Sequence, residues 1–301
     1  MKALITGATG LVGEALVKHL LDFGWSIHYL TTSKSKIENS DNFKGFYWNP
    51  ETGEIDKNCF DGVGVIINLA GASVAEKWTD EHKKAILDSR LDTLNLLFET
   101  LVNISHEVKH IVSASAIGIY PHSFTKKYTE KETELNNDFL GDVVQQWEKT
   151  ADRFKLLGLM VTKIRIGIVL SSKGGALKKM ETPIKYFVGA PLGNGKQWQS
   201  WIHINDLVGI FKYVIDEKLS GVYNGVAPGP VKNRRLTKAI ATFLHRPILL
   251  PPVPEFVLKY MLGEMSQIVL SSQKVSSDKI EREGYVFQFK RVYDAVKNIY
   301  D

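Results

Sequence analysis

The run ITGATGLVGE at residues 5–14 sets Gly7, Gly10 and Gly13 between two apolar stretches, and no other part of the chain restricts its fold so tightly. Ahead of it lies KALIT (2–6), short and apolar. Behind it Leu11, Val12, Ala15, Leu16 and Leu20 recur at helical spacing. A strand that hands over to a helix through G-x-x-G-x-x-G is the fingerprint of a dinucleotide-binding turn. Gly7 permits the tight turn, Gly10 lets backbone approach a pyrophosphate, and Gly13 lets the helix lie close to the strand. The helix N-terminus adds unpaired N–H groups and the positive end of a dipole.

The alternation continues. SIHYLT (26–31), FKGFYWN (43–49), VGVIINLAG (63–71), KHIVSASA (109–116) and MVTKIRIGIVL (160–170) read as strands. A helix capped by Thr79 runs to Leu101 with Leu87, Leu91, Leu94 and Phe98 on one face, and another occupies 138–157. Strands alternating with crossover helices predict an α/β fold, a Rossmann doubly wound parallel sheet covered on both faces. Ligands bind such sheets beyond the carboxyl ends of the strands. After residue 170 the texture becomes Gly-, Lys- and Pro-rich. We therefore expect a nucleotide-binding domain over 1–170, completed by 200–226, and a smaller C-terminal α/β lobe within 171–301.

The end of the second strand bears on the choice of nicotinamide. Where an NAD site carries an acidic residue for the ribose hydroxyls, this chain has Thr31, Thr32, Ser33 and Lys34. Hydroxyls and a lysine suit a 2′-phosphate, so NADP(H) is preferred over NAD(H). A net charge of +5 with scattered lysines lacks the basic stripe of a nucleic-acid binder. No apolar stretch reaches the ~18–20 residues of a membrane span, and the single cysteine, Cys59, excludes a disulfide framework or a multi-cysteine metal site. No metal-ligand spacing occurs among the histidines. A cytoplasmic location is the default expectation.

Several motifs together, TGATGLVG, INLAGASVAEKWT, ILDSRLDT, VSASAIGIY, FLGDVVQQWEKTA, RIGIVLSSKGGAL and LGNGKQWQSWIHINDL, carry a resemblance over nearly the whole chain. It resembles the extended short-chain dehydrogenase/reductase superfamily. More narrowly it resembles the atypical epimerase-family proteins, NAD(P)-dependent epimerase/dehydratase-like, with a C-terminal extension of unassigned role. The resemblance implies cofactor contacts from Gly7, Thr9, Gly10, Leu11 and Val12 at the phosphate turn, with Thr31, Thr32 and Lys34 at the adenosine ribose. It also implies Asn68, Leu69, Ala70 and Gly71 at the end of the fourth strand, and Ser113 on the fifth. Arg90 leans toward the packing side of its helix and needs an anion or an acceptor; a cofactor contact and a salt bridge are both open to it. A homodimer is one assembly the resemblance leaves open.

Catalysis in the superfamily resembles a relay of Ser or Thr, Tyr and Lys. Ser115 matches the serine, but aligning FLGDVVQQWEKTA puts Leu140 and Val144 where Tyr and Lys should stand, and neither can move a proton. Tyr120 is a candidate substitute acid, with a packed aromatic as the plainer alternative. His203, in the GNGKQWQSWIH loop beside Lys196, Trp198 and Trp201, could serve as an acid–base group, while Asp206 reads as a helix cap. Cys59, with no histidine beside it, is a poor nucleophile. The expectation is an NADP(H)-binding epimerase or oxidoreductase acting on an unknown small, nucleotide-linked or free, substrate. The alternative is a non-enzymatic NADP(H) sensor.

Overall fold

The computed structural model describes residues 1–301. Seven parallel strands form the central sheet: β1 (Lys2–Thr6), β2 (Ser26–Thr31), β3 (Phe43–Asn49), β4 (Val65–Asn68), β5 (His110–Ala116), β6 (Met160–Ile166) and, later in the chain, Gly221–Gly225. Across the sheet they run β3, β2, β1, β4, β5, β6 and then the 221–225 strand. The chain winds outward from β1 to β3 and then crosses back to β4, so a topological switch point opens between β1 and β4. Helices α1 (Leu11–Asp22), α2 (Asp80–Val102) and α3 (Phe139–Asp152) make the crossovers. The central strands are buried on both faces, as their aliphatic sequences require: Ala3, Leu4 and Ile5 are fully buried, and so are Ile66 and Ile67.

Capping fixes where the helices start. Thr79 Oγ1 accepts the His82 N–H at 3.1 Å, and Asp138 Oδ1 accepts the Gly141 N–H at 2.9 Å. Helix α1 differs: Gly10 occupies its N-cap in extended backbone and no side chain caps it. Its first N–H groups therefore point off the strand ends with no side-chain acceptor.

Three elements depart from the periodicity. The strand expected over 63–71 is paired only at Val65–Asn68. The helix expected over 138–157 tightens into a 3₁₀ turn at Arg153–Leu157 and stops at Gly158, whose φ of +74° is left-handed. The run 160–170 is two strands. At Gly167 a Cβ would lie 2.3 Å from the Ser200 carbonyl, so the chain leaves the main sheet there. Residues Ile168–Leu170 (β7) pair instead with Trp201–His203 (β8).

Beyond β7 come α4 (Gly175–Lys185), then β8 and α5 (Ile204–Asp216), then the edge strand Gly221–Gly225, named β9 here. Helix α5 packs on α1, and β9 pairs with β6, so this segment belongs to the main layer. In the remainder, α6 (Asn233–Phe243) and the helix Val292–Tyr300 share a second core around Trp201, Leu236, Ile240 and Val296, to which α7 (Glu255–Leu262) contributes no residue. That core holds 13 buried residues against 42 for the sheet core. No helix is long and apolar enough to cross a membrane.

Candidate functional site

The carboxyl ends of β1, β4 and β5 are locked together by a short polar chain. Thr6 Oγ1 donates to Asn68 Oδ1 at 2.7 Å and accepts the N–H groups of Leu69 and Ala70, each at 3.1 Å. Asn68 Nδ2 donates to Ser113 Oγ at 3.2 Å. Asn68 and Ser113 are fully buried and bonded to each other, so the structure sets them beneath the site floor as braces, while the backbone of Leu69–Gly71 forms the floor.

The glycine turn sits on that floor. Gly7 has φ +70° and lies so close to Leu69 and Ala70 that a Cβ would fall 2.9 Å from the Ala70 nitrogen. At Gly13 a Cβ would lie 2.0 Å from the Gly7 carbonyl oxygen, so only glycine lets α1 approach the turn. Thr9 and Gly10 are exposed, and Leu11 and Val12 are half-buried. The cradle is open at the positions a diphosphate would need and closed elsewhere.

Arg90 completes this edge. Its guanidinium donates to the carbonyls of Ile86 at 2.7 Å and Ala72 at 3.2 Å, and lies 5.0 Å over the Trp147 ring. It makes no ion pair, which removes the salt-bridge alternative. Burial alone pulls its pKa down to about 10. A side chain on Gly71 would meet the guanidinium at 3.0 Å, so the floor glycine leaves that cation room. An unneutralised cation beside an uncapped helix start is a fit for an anionic diphosphate. At the end of β2, Thr31 is buried and its hydroxyl accepts the Ser33 N–H at 3.2 Å. Thr32 is exposed, and exposed Lys34 sits 4.8 Å over the Tyr47 ring without an ion pair.

The candidate catalysts are held elsewhere. Ser115 donates its proton to Glu148 Oε1 at 2.6 Å, and Glu148 is bound in a fork by Arg165 at 2.8 and 2.9 Å. Arg165 also donates to the Tyr120 hydroxyl at 3.0 Å, and Tyr120 donates to Asn224 Oδ1 at 2.7 Å. Tyr120 is fully buried, and burial pushes its pKa up to about 12. Its hydroxyl is thus spent inside the protein, and the structure corrects its placement as a substitute acid: it is the packed aromatic. Leu140 packs beside Trp78, Phe139 and Ile268, and Val144 lies in a separate apolar cluster with Tyr120 and Val226.

His203 is also buried. Its Nδ1 accepts the Asn205 N–H at 3.1 Å as the N-cap of α5, its Nε2 has no partner, and burial lowers its pKa to about 4. The cap is therefore His203 and not Asp206. The Asp206 carboxylate instead accepts the N–H groups of Gln288 at 2.8 Å and Phe289 at 3.0 Å, tying the C-terminal segment to α5. Lys196 is exposed, Trp198 donates to the Phe124 carbonyl at 3.0 Å, and Trp201 donates from the lobe core to the Gly229 carbonyl at 2.7 Å. Cys59 is buried, with its thiol pushed above its ordinary range by burial.

A cavity of roughly 380 Å³ opens where the loop leaving β5 meets the start of α3 and the segment around α7. His122, Asp138, Gln197, Lys259 and Gln267 are among its lining. His122 Nδ1 accepts the Ser272 N–H at 3.1 Å, so a neutral His122 carries its proton on Nε2. Gln197 Nε2 donates to the carbonyls of Leu192 and Val269 at 3.0 and 3.2 Å, which fixes its Oε1 as a buried acceptor without a partner. Sequence spacing pointed to none of these; only the position of His122, two residues past Tyr120, offered a signal.

Known proteins match the chain along its length. The description "NAD dependent epimerase/dehydratase family" matches residues 3–139, and "Domain of unknown function (DUF1731)" matches 253–299. An epimerase family protein of Staphylococcus aureus is 37% identical over 297 residues, covering 98% of each chain. Among solved structures, the human epimerase family protein SDR39U1 with NADPH is 27% identical with a TM-score of 0.85, covering 100% of this chain and 99% of that one. A nucleoside-diphosphate sugar epimerase from Corynebacterium glutamicum is 29% identical with a TM-score of 0.79, covering 100% of this chain and 58% of its own.

Proposed function

The chain belongs to the epimerase family, and from that membership we propose that it is an NADP(H)-binding epimerase or oxidoreductase of a small substrate. The observation that carries this is Arg90, a half-buried guanidinium with no carboxylate, placed against the Gly71 floor that also seats the Gly7 turn. Gly7, Gly10 and the N–H groups of Leu11 and Val12 would hold the diphosphate, with Arg90 neutralising charge from the opposite side. Thr32 and Lys34 would receive the 2′-phosphate, which favours NADP(H) over NAD(H). The NADPH named with the human relative supports this choice. When bound, the nicotinamide supplies hydride transfer.

The remaining steps fall to the chain itself. Ser115 is buried with its hydroxyl donated to Glu148, so all its oxygen has left to offer a ligand is an acceptor lone pair. His122 Nε2, on the cavity wall, holds the proton that the superfamily's Tyr would otherwise carry. Gln197 and Gln267 border the same cavity and bring acceptors to a hydroxylated substrate.

The test combines binding and turnover. Purified protein is titrated with NADPH and NADH, then incubated with carbonyl compounds and nucleotide sugars. Nicotinamide absorbance reports net redox, and proton NMR of the products reports redox-neutral epimerisation. Turnover lost in His122→Gln with NADPH binding retained is the expected result, and Lys34→Ala should weaken NADPH but not NADH. Neither nucleotide binding below millimolar concentration would remove the proposal. Tight NADPH binding without turnover on any substrate would favour the second reading, a cofactor-state sensor, to which the apolar Leu140 and Val144 also lend support.

A further inference from the structure

A second cavity, roughly 470 Å³, lies in the lobe between α6 and the proline-rich segment 246–252. One stripe of α6 forms its wall, with Arg234, Lys238 and Thr242 spaced four residues apart, over a floor of Thr237, Ala241 and Pro191. Arg246 closes the far side. The cavity is lined by three cations and no carboxylate, and none of the three makes an ion pair. Neighbouring Lys178 and Lys185 of α4, by contrast, are both paired with the buried Glu181. The stem of Arg234 is packed against Gly195, at whose Cβ position it would sit 3.3 Å away, and the Arg246 guanidinium lies 4.9 Å over the Phe187 ring.

The two helices beside the cavity end in left-handed turns that fix where Arg246 emerges. Phe187, with φ 62°, closes α4 as the Val188 N–H bonds to the Pro183 carbonyl at 3.0 Å, and His245, with φ 53°, closes α6 as the Arg246 N–H bonds to the Ala241 carbonyl at 2.9 Å. The cavity's outer lip is apolar, through Ile248 and an exposed Leu250.

We infer that this cavity is a binding site, separate from the nucleotide cradle, for a phosphate or carboxylate carried on an apolar body. The three cations take the anionic head, and Leu250 and Ile248 take the body. Volume and composition match a small-molecule site, with an apolar lining and a few convergent charges. The ligand is a soluble organic anion or the headgroup and upper chain of an anionic lipid; the chemistry is shared.

The experiment uses the full chain saturated with NADPH and isothermal titration with hexyl phosphate, hexanol and inorganic phosphate. Hexyl phosphate should bind at least about tenfold more tightly than either of the others, because each half of the site contributes. Lys238→Ala and Arg246→Ala should each weaken it about tenfold. Both residues are exposed, and unchanged thermal melts and NADPH affinity confirm that the variants are folded. Added salt should weaken binding in the parent and less so in the variants. Co-sedimentation with phosphatidic acid vesicles, lost in Arg246→Ala, identifies a lipid source; binding of free hexyl phosphate without co-sedimentation identifies a soluble one. Hexanol binding as tightly as hexyl phosphate, hexyl phosphate binding unchanged in Lys238→Ala and Arg246→Ala, or no binding of hexyl phosphate below millimolar concentration would each overturn the inference.

Discussion

Arg90→Met removes a guanidinium while keeping much of its stem, and two opposite effects follow. Burial holds the arginine pKa at about 10 against an ordinary 12.5. At about 1.4 kcal/mol per unit, that is a cost of roughly 3 kcal/mol on the charged form. Its bonds to the Ile86 and Ala72 carbonyls and its contact with the Trp147 ring return a similar sum, about 1–2 kcal/mol each. Stability of the free protein should therefore stay within about 1 kcal/mol of the parent. Affinity should not. A charge-assisted contact to phosphate is worth about 1.5–3 kcal/mol, so Kd for NADPH should rise roughly ten- to hundredfold. Urea unfolding measures the first quantity and calorimetric titration the second. A variant that lost more than about 2 kcal/mol of stability while binding NADPH as before would make Arg90 a structural cation, and the argument for the cradle would fail.

Gly13→Ala places a Cβ 2.0 Å from the Gly7 carbonyl and must push α1 off its turn, costing about 1–3 kcal/mol and most NADPH binding. Gly64→Ala, with nothing within 4 Å, should change NADPH affinity by less than twofold; equal behaviour of the two in titration and melting would contradict the geometry. His203 has its pKa lowered to about 4 by burial, and 6.5 is its ordinary value. Between those values the unfolded chain binds the proton and the folded chain does not. Its stabilising effect is complete above pH 6.5 and is lost as pH falls toward 4, by up to roughly 3 kcal/mol. His110, lowered likewise, adds a similar slope. His203→Asn keeps an acceptor for the Asn205 N–H and should roughly halve that slope in urea titrations across pH 4–7; an unchanged slope would show that His203 is not its source.

The tight glycine turn between β1 and α1 was legible because backbone clearance dictates glycine, and a clearance of 2 Å at Gly13 admits nothing else. The parallel sheet followed from the alternation of strands and helices and from aliphatic runs such as Val65–Asn68. The break at Gly167 was hidden because its cause, the Ser200 carbonyl, lies 33 positions away in a segment the strand pattern does not sense. Asp206 misled for a similar reason: an acid at a helix start is the commonest capping pattern, but the partners that claim it are Gln288 and Phe289. Tyr120 and Ser115 stood five residues apart with no sign that Glu148 and Arg165 join them in one buried network. His122, Gln197 and Gln267 come together only through tertiary folding of the loop after β5 onto the region of α7. Chemistry that depends on one residue's local spacing could be read; chemistry assembled from distant loops could not.

Leu140, Val144 and Glu148 stand one helical turn apart on α3, so they share a stripe. Had the first two been Tyr and Lys, that stripe would carry the proton relay. Here its only ionisable member is Glu148, forked by Arg165 and already holding the Ser115 proton at hydrogen-bond distance. The stripe therefore cannot lower the pKa of a donor placed at 140, and restoring the motif should fail for a physical reason. Val144 is 3% exposed among Ile119, Tyr120, Tyr128 and Val226. A lysine there would bury an ammonium whose neighbour one turn along, Glu148, is already forked by Arg165, so two buried cations would share one carboxylate at a cost of several kcal/mol. Leu140→Tyr with Val144→Lys should consequently melt well below the parent and gain no turnover, whereas Leu140→Tyr alone, at a half-buried position, should fold. A double variant that keeps the parent's melting temperature and accelerates nicotinamide oxidation would show that α3 can still host the relay, and the proposal of His122 as proton donor would fall.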